Sequence, residues 1–389
     1  MKNILFSIIL PVLLFLSSCG GGSNDSKSDN TQDTTRGTIS SSTLLATKSA
    51  SFLIPYSVDA YKITYNTIDA NENKILASGL LSIPRKNSDE KSPFLSYQHA
   101  SIFLDEQAPS NSSTQANSIM TLAGTGYIVS APDFIGYGAS VDRIHPYLHA
   151  KTLASASIDM IRASYAFLKT NNIKTNSQLF ITGYSEGGYA SLALQKNIQE
   201  NHSAEFLITA VSAGAGPFDL SNTAQIIANK VINDEPAYIS YLLKSYDSVY
   251  NIGKVDEMYQ AQYVDAINTS FNGQNSQSTI NSKLSINPNE LFKAQFLTSL
   301  KNSDDHVVNK KIALNNIYDW KPTSPTRFYH GPNDETVPYS NSQKALTTMK
   351  ANGARDVSLG DCPLNTHVKC AVPYVFDTLG FFNDYVEDL

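Results

Sequence analysis

Leu179-Phe180-Ile181-Thr182-Gly183-Tyr184-Ser185-Glu186-Gly187-Gly188-Tyr189-Ala190 joins an apolar run, a serine flanked by glycines, and a small-residue stretch. Residues 179–182 read as a short buried strand, and Ala190, Leu192, Ala193 and Leu194 continue beyond the serine as a helix. A serine at such a junction occupies a strained turn that exposes its hydroxyl. Glycines two residues before and after are needed because larger side chains would collide where strand and helix pass closely. Gly183 and Gly187 stand at those offsets, and Gly188 extends the small surface. Gly-x-Ser-x-Gly alone occurs by chance. The strand before it and the helix after it make Ser185 a nucleophile on an elbow rather than part of a glycine-rich turn.

Outward from the elbow, short apolar runs recur at residues 94–97, 127–129, 207–211 and 326–329, with helical patterns between them. Ile158, Ile161, Tyr165 and Leu168 form one helical stripe, and Val375, Leu379 and Phe382 another, both expected to face a core. Continuous apolar strands separated by helices imply a mostly parallel sheet covered on both faces, the α/β class and, with the elbow, the α/β-hydrolase fold. Before them, alternating stretches at 61–65 and 75–83 flank the polar turn 69–74, a hairpin signal. Residues 217–316 break the rhythm: Asn, Ser, Tyr and Gln dominate, and apolar residues such as Tyr238, Leu242 and Tyr246 fall in short helical clusters. This segment is expected to be a helical cap inserted after a sheet strand, within one domain spanning 46–389. No internal repeat is visible.

A serine hydroxyl is a poor nucleophile until a histidine takes its proton, and in this fold the chain order is Ser, acid, His. Of seven histidines, His99, His145 and His149 precede Ser185. His202 follows the elbow helix too closely, His306 lies in the expected cap, and His330 precedes the best acid candidate. That leaves His367, in the polar loop Asp361-Cys362-Pro363-Leu364-Asn365-Thr366-His367-Val368-Lys369-Cys370 ahead of the last helix. The acid follows the strand 326–329, where Asp334 is the choice and Glu335 the alternative; a carboxylate there fixes the tautomer of the base. The oxyanion hole combines the main-chain N–H of Glu186 with one from the loop after residues 94–97, from Ser101 or Ala100. Zinc at Cys362, His367, Cys370 and Asp361 is set aside, because it would consume the base and zinc knuckles use closer cysteine pairs. No metal or other cofactor is expected.

At the N-terminus, Lys2 precedes the apolar run 4–16, then Ser17, Ser18, Cys19 and Gly20. The run is short for a bilayer span and contains Pro11, so it reads as an export signal, residues 1–18. Leu16-Ser17-Ser18-Cys19 resembles the lipobox of bacterial lipoproteins, which implies lipidation at Cys19 and attachment to the cell envelope. The lack of Asp after Cys19 points to the outer membrane by the same resemblance. Residues 19–45, rich in Gly, Ser, Asn, Asp and Thr, read as a flexible tether. No other segment is long and apolar enough to span a membrane. In an exported chain with three cysteines, Cys362 and Cys370 are expected to pair and Cys19 to carry lipid. The net charge of -6 argues against a nucleic-acid partner, and the sequence fixes no oligomeric state.

From about residue 53 to the C-terminus the chain resembles the secretory-lipase group of α/β hydrolases, the fungal lipase A-like enzymes and their bacterial esterase relatives. The residues that carry the resemblance are Ser96-Tyr97-Gln98-His99, Ala131-Pro132-Asp133-Phe134-Ile135-Gly136-Tyr137-Gly138, Gly183-Tyr184-Ser185-Glu186-Gly187-Gly188, and Tyr329-His330-Gly331 through Asp334 to Val337-Pro338. The resemblance implies ester or lipid hydrolysis without a cofactor, and a helical cap over the site. Ala100 departs from it, standing where glycine is common. Asp133 and Tyr137 are expected to fix loops. A peptidase acting on short peptides and a binding lipoprotein on the same scaffold are the rival readings; the latter predicts a missing member among Ser185, Asp334 and His367, and all three are present.

Overall fold

The alternation of residues at the sheet centre sets the layers. The computed structural model describes residues 35–389 apart from positions 53 and 365. The expected signal segment and Cys19 lie outside the described residues, as does the tether up to residue 34. Strands β1 (Ile39–Lys48), β2 (Val58–Ile68), β3 (Lys74–Pro84), β4 (Ser92–Gln98), β5 (Ile128–Pro132), β6 (Thr175–Tyr184), β7 (Ile208–Gly214), β8 (Thr326–His330) and β9 (Val357–Asp361) form one sheet in the order β1-β2-β3-β5-β4-β6-β7-β8-β9. β1 to β3 run antiparallel as expected of the hairpin, with Ile68 opposite Lys74, and β5, β4, β6, β7, β8 and β9 pair in parallel. β1 corrects one expectation, because residues 39–45 are strand rather than tether. A Ser- and Thr-rich edge strand is mostly exposed and can satisfy its backbone on β2 without joining a core.

Helices α1 (Ser113–Ala123), α2 (Ala150–Thr170) and α3 (Glu186–Asn201) precede an insertion of α4 (Leu220–Asn229), α5 (Pro236–Val249), α6 (Val255–Met258), α7 (Ala261–Ser270), α8 (Gln277–Asn281), α9 (Pro288–Leu291), α10 (Ala294–Asn302) and α11 (Val307–Ala313). Then follow α12 (Ser340–Ala351) and α13 (His367–Phe382). Phe94, Ile128, Ile181 and Val211 pack with Ile158 and Ile161 of α2 and Leu194 of α3. Their strand neighbours Leu95, Val129, Phe180 and Ala210 pack with Ile119 of α1 and Phe382 of α13. Successive strand residues point to opposite faces, so α2 and α3 cover one face and α1 and α13 the other.

The stripe expected on the last helix is misassigned in part. Val375 is 44 % exposed, whereas Cys370, Tyr374, Thr378 and Phe382, spaced four apart, are the buried face of α13. Hydrophobicity alone misses it, since two of those four residues carry hydroxyl groups. The insertion lies between β7 and β8, where the breakdown of the strand–helix rhythm placed it, and Leu242, Tyr246, Phe296 and Ile312 share one apolar cluster with Phe134, Tyr189 and Phe328 of the sheet body. Among the described residues no helix is long and apolar enough to cross a membrane.

Candidate active site

Ser185 follows β6 directly and is the N-cap of α3, with φ 60 and ψ −121, a conformation that non-glycine residues rarely adopt. Its N–H is fixed on Gly214 O at 2.8 Å. The glycines explain how the turn closes: a Cβ on Gly183 would lie 2.4 Å from Gly187 O, and one on Gly187 would lie 2.1 Å from Gln98 O. The start of α3 therefore rests directly on the end of β4, and the loop holding Ala100 and Ser101 runs beside the elbow.

His367, first residue of α13, turns its ring to the serine. Ser185 Oγ lies 2.9 Å from His367 Nε2, and His367 Nδ1 lies 2.6 Å from Asp334 Oδ2. An ionised carboxylate only accepts, so Nδ1 carries the proton and Nε2 is left to accept the serine hydroxyl. Asp334 is in turn anchored: its Oδ1 accepts from the N–H groups of Thr336 (3.0 Å) and Val337 (2.7 Å), and His330 Nε2 stands 3.1 Å from its Oδ2. Burial pushes the Asp334 carboxyl up, but the hydrogen bonds from His330 and His367 outweigh it and hold the group well below the usual carboxylate range. Glu335 does something else. Its Oε2 accepts the backbone N–H of His367 at 3.1 Å, tying down the start of α13.

Three further contacts fix His367 and the helix it begins. Cys362 and Cys370 form a disulfide that closes the segment around His367, so their sulfurs are not metal-binding thiolates. Tyr184, next to the serine, donates its hydroxyl to His367 O at 2.8 Å. Tyr374, two turns along α13, donates to Ser212 O (2.7 Å) and accepts from the Gly183 N–H (3.1 Å), which clamps the helix to β6 and β7.

Glu186 is the first residue of α3, so its N–H has no partner within the helix and is free for a ligand oxygen. On the other side of the elbow Ser101 Oγ lies 2.8 Å from the Tyr147 hydroxyl, and His99 donates from Nδ1 to Ala100 O at 2.7 Å. Burial holds the His99 imidazole below its usual pKa. Asp133 accepts from Ser78 Oγ (2.6 Å), Ser110 N (2.8 Å) and Ser110 Oγ (2.5 Å), and Tyr137 donates to Ile102 O at 2.5 Å. Both therefore fix loops. A narrow cavity of about 50 Å³ is lined by Ser185 and Glu186 together with Leu148, Leu220, Ile227 and Leu242. A wider hollow of about 600 Å³ beside Glu257 and His306 touches none of the groups around Ser185.

Two histidines passed over in the sequence act here. His330 accepts from Ser342 Oγ at 2.8 Å and aims its other nitrogen at Asp334, while His145 Nε2 meets Glu186 Oε1 at 2.7 Å. The signal for His330 was its place four residues before Asp334. Nothing local marked His145 or Tyr374.

A protein-family model described as secretory lipase matches residues 106–383. Among solved structures the chain is similar to the rice cell wall degrading esterase LipA from Xanthomonas oryzae, at 24% identity and TM-score 0.83 over 90% of this chain and 98% of that one. It is similar also to a putative hydrolase from Legionella pneumophila, at 23% identity and TM-score 0.82 over 89% of this chain and 98% of that one. Candida antarctica lipase A shares the fold at 16% identity and TM-score 0.67, over 91% of this chain and 84% of that one. No curated protein sequence matches.

Proposed function

We propose that this chain, which belongs to the secretory lipase family and is a hydrolase of the α/β-hydrolase fold, cleaves carboxylic esters through an acyl-enzyme on Ser185. The observation that carries the reading is the unbroken hydrogen-bonded line from Asp334 through His367 to Ser185, which ends at an apolar cavity. Ser185 Oγ attacks the ester carbonyl and its proton passes to His367 Nε2. The imidazolium so formed faces the Asp334 carboxylate. The carbonyl oxygen takes up negative charge within reach of the Glu186 N–H and a second N–H from Ala100 or Ser101. The C–O bond to the alcohol then breaks, His367 protonates the leaving oxygen, and water repeats the cycle to release the acid. Family membership supports an exported protein, and attachment through lipid on Cys19 is proposed with it.

The test is hydrolysis of p-nitrophenyl esters from acetate to palmitate by the full chain beside Ser185→Ala. Turnover in the wild type and a loss of several powers of ten in the variant is the expected result. A folded wild type that cleaves matched amides and no ester overturns it in favour of a peptidase; one that cleaves neither leaves the binding reading.

A further inference from the structure

The Glu186 carboxyl lies beside the nucleophile and has no part in the proton relay. It is buried, with its side chain 1% exposed, and so is its partner His145. The proton count follows from the partners. His145 Nδ1 sits 2.6 Å from Ile135 O, a carbonyl that can only accept, so Nδ1 bears a hydrogen. His145 Nε2 and Glu186 Oε1, 2.7 Å apart, must then share one further proton, because two lone pairs cannot face each other at that distance. Wherever that proton resides, the pair has no net charge. A bare carboxylate next to the site where an oxyanion forms would oppose catalysis; a neutral pair does not.

The second oxygen, Oε2, is buried and has no hydrogen-bond partner among the described residues. Leaving a buried acceptor unmatched is costly, and such groups call for an explanation. Glu186 lines the cavity at Ser185, and the other polar side chains of that lining are already engaged. Tyr147 is bonded to Ser101, Thr223 donates to Asp219 O, Thr336 donates to Glu235, and Tyr238 pairs with Gln277. Those hydroxyls are oriented by partners of their own, whereas Glu186 Oε2 has none among the described residues.

We propose that Glu186 is a specificity group, whose free carboxyl oxygen accepts a hydrogen bond from a hydroxyl on the part of the ester that enters the cavity. A neutral donor fits better than an ammonium group, because the neutral Glu186–His145 pair offers no counter-charge to a buried cation. Since Glu186 directly follows Ser185, the hydroxyl belongs within a few bonds of the scissile carbonyl. The proposal rests on the ester-hydrolase reading.

The experiment compares esters in which a methyl group replaces a hydroxyl: ethyl 3-hydroxybutyrate against ethyl 3-methylbutyrate for the acyl side, and 2-hydroxyethyl butyrate against propyl butyrate for the alcohol side. The full chain is expected to favour the hydroxylated member of one pair about tenfold or more in kcat/KM, as sites built to bind a hydroxyl do. Glu186→Met is expected to bring that ratio to about one. Glu186→Gln is expected to keep it, because its amide can give one N–H to His145 Nε2 and turn its carbonyl to the cavity. Should the Met variant fail to fold, Glu186→Leu combined with His145→Phe removes both buried partners together. Ratios near one in both pairs, with brisk hydrolysis of the plain esters, overturn this proposal and leave the ester-hydrolase reading standing. A ratio that survives in the Met variant also overturns it. Hydrolysis of none of the four sinks the ester-hydrolase reading and this one with it.

Discussion

Asp334 accepts from two backbone N–H groups and the His367 imidazole, with His330 Nε2 3.1 Å away, and that environment keeps it ionised well into acid. Asp334→Asn would preserve the shape while letting the amide donate to His367, turning the ring to the wrong tautomer. A fall in kcat of about 10³- to 10⁴-fold with unchanged folding is expected, checked by steady-state kinetics beside circular dichroism. His149 gives the clearest pH signature. Burial, reinforced by Lys151, lowers its pKa from 6.5 to about 4. The folded protein holds this ring neutral, so its contribution is fully present above 6.5 and is lost as pH falls from 6.5 through about 4. Urea unfolding of the wild type is expected to lose about 3 kcal/mol over that window relative to His149→Gln. Equal slopes for the two proteins would contradict this. Ser185 was legible because strand, glycines and helix are contiguous in the chain. His145 was not, because Glu186, its partner, lies 41 positions away and nothing in either local sequence announces the pair.

The last helix is where sequence and structure part most. α13 begins at His367, and its position along the sheet is set by Tyr374 against Ser212 and Gly183, by Glu335 on its first N–H, and by the disulfide. The buried face of the helix follows those polar contacts more than its apolar content, which is why Val375 was assigned inward and lies outward. The Cys362–Cys370 bridge closes a short loop, worth about 2 to 3 kcal/mol in the chain-entropy account. The double variant Cys362→Ala, Cys370→Ala is expected to lose activity at temperatures where the fold remains intact, since loosening acts first on the segment that holds His367. Activity and ellipticity that melt together would show instead that the bridge serves the whole fold. β1 teaches the complementary lesson: a polar, Ser- and Thr-rich stretch reads as linker, yet becomes strand once an exposed edge offers backbone partners.

At the scale of the molecule the end of β6 and the loop after β8 place Ser185 and Asp334, α13 places His367, and the insertion supplies much of the wall of the cavity. Leu220 and Ile227 of α4 and Leu242 of α5 face Ser185 across the narrow cavity of about 50 Å³. On the proposed reading, much of the wall that a substrate would meet comes from residues more than 30 positions beyond Ser185 in sequence. Ile227→Ala is expected to raise kcat/KM for long p-nitrophenyl esters relative to short ones about tenfold, the scale on which one or two methylenes are discriminated. An unchanged chain-length profile would mean that substrate does not pass along α4.

The sequence by itself determined the fold class, the elbow serine, the alternation of strands and helices before the insertion, and the candidates for acid and base. These depend on local periodicity and on glycines whose need is steric and immediate. Tertiary structure decided which carboxylate reaches the ring, that Glu335 ties down the helix instead, that His330 stands against Asp334, and that Glu186 meets His145. The physical reason is that hydrogen bonds are made over about 3 Å and in set directions. Groups distant in the chain meet at that range only after the sheet and its insertion have packed.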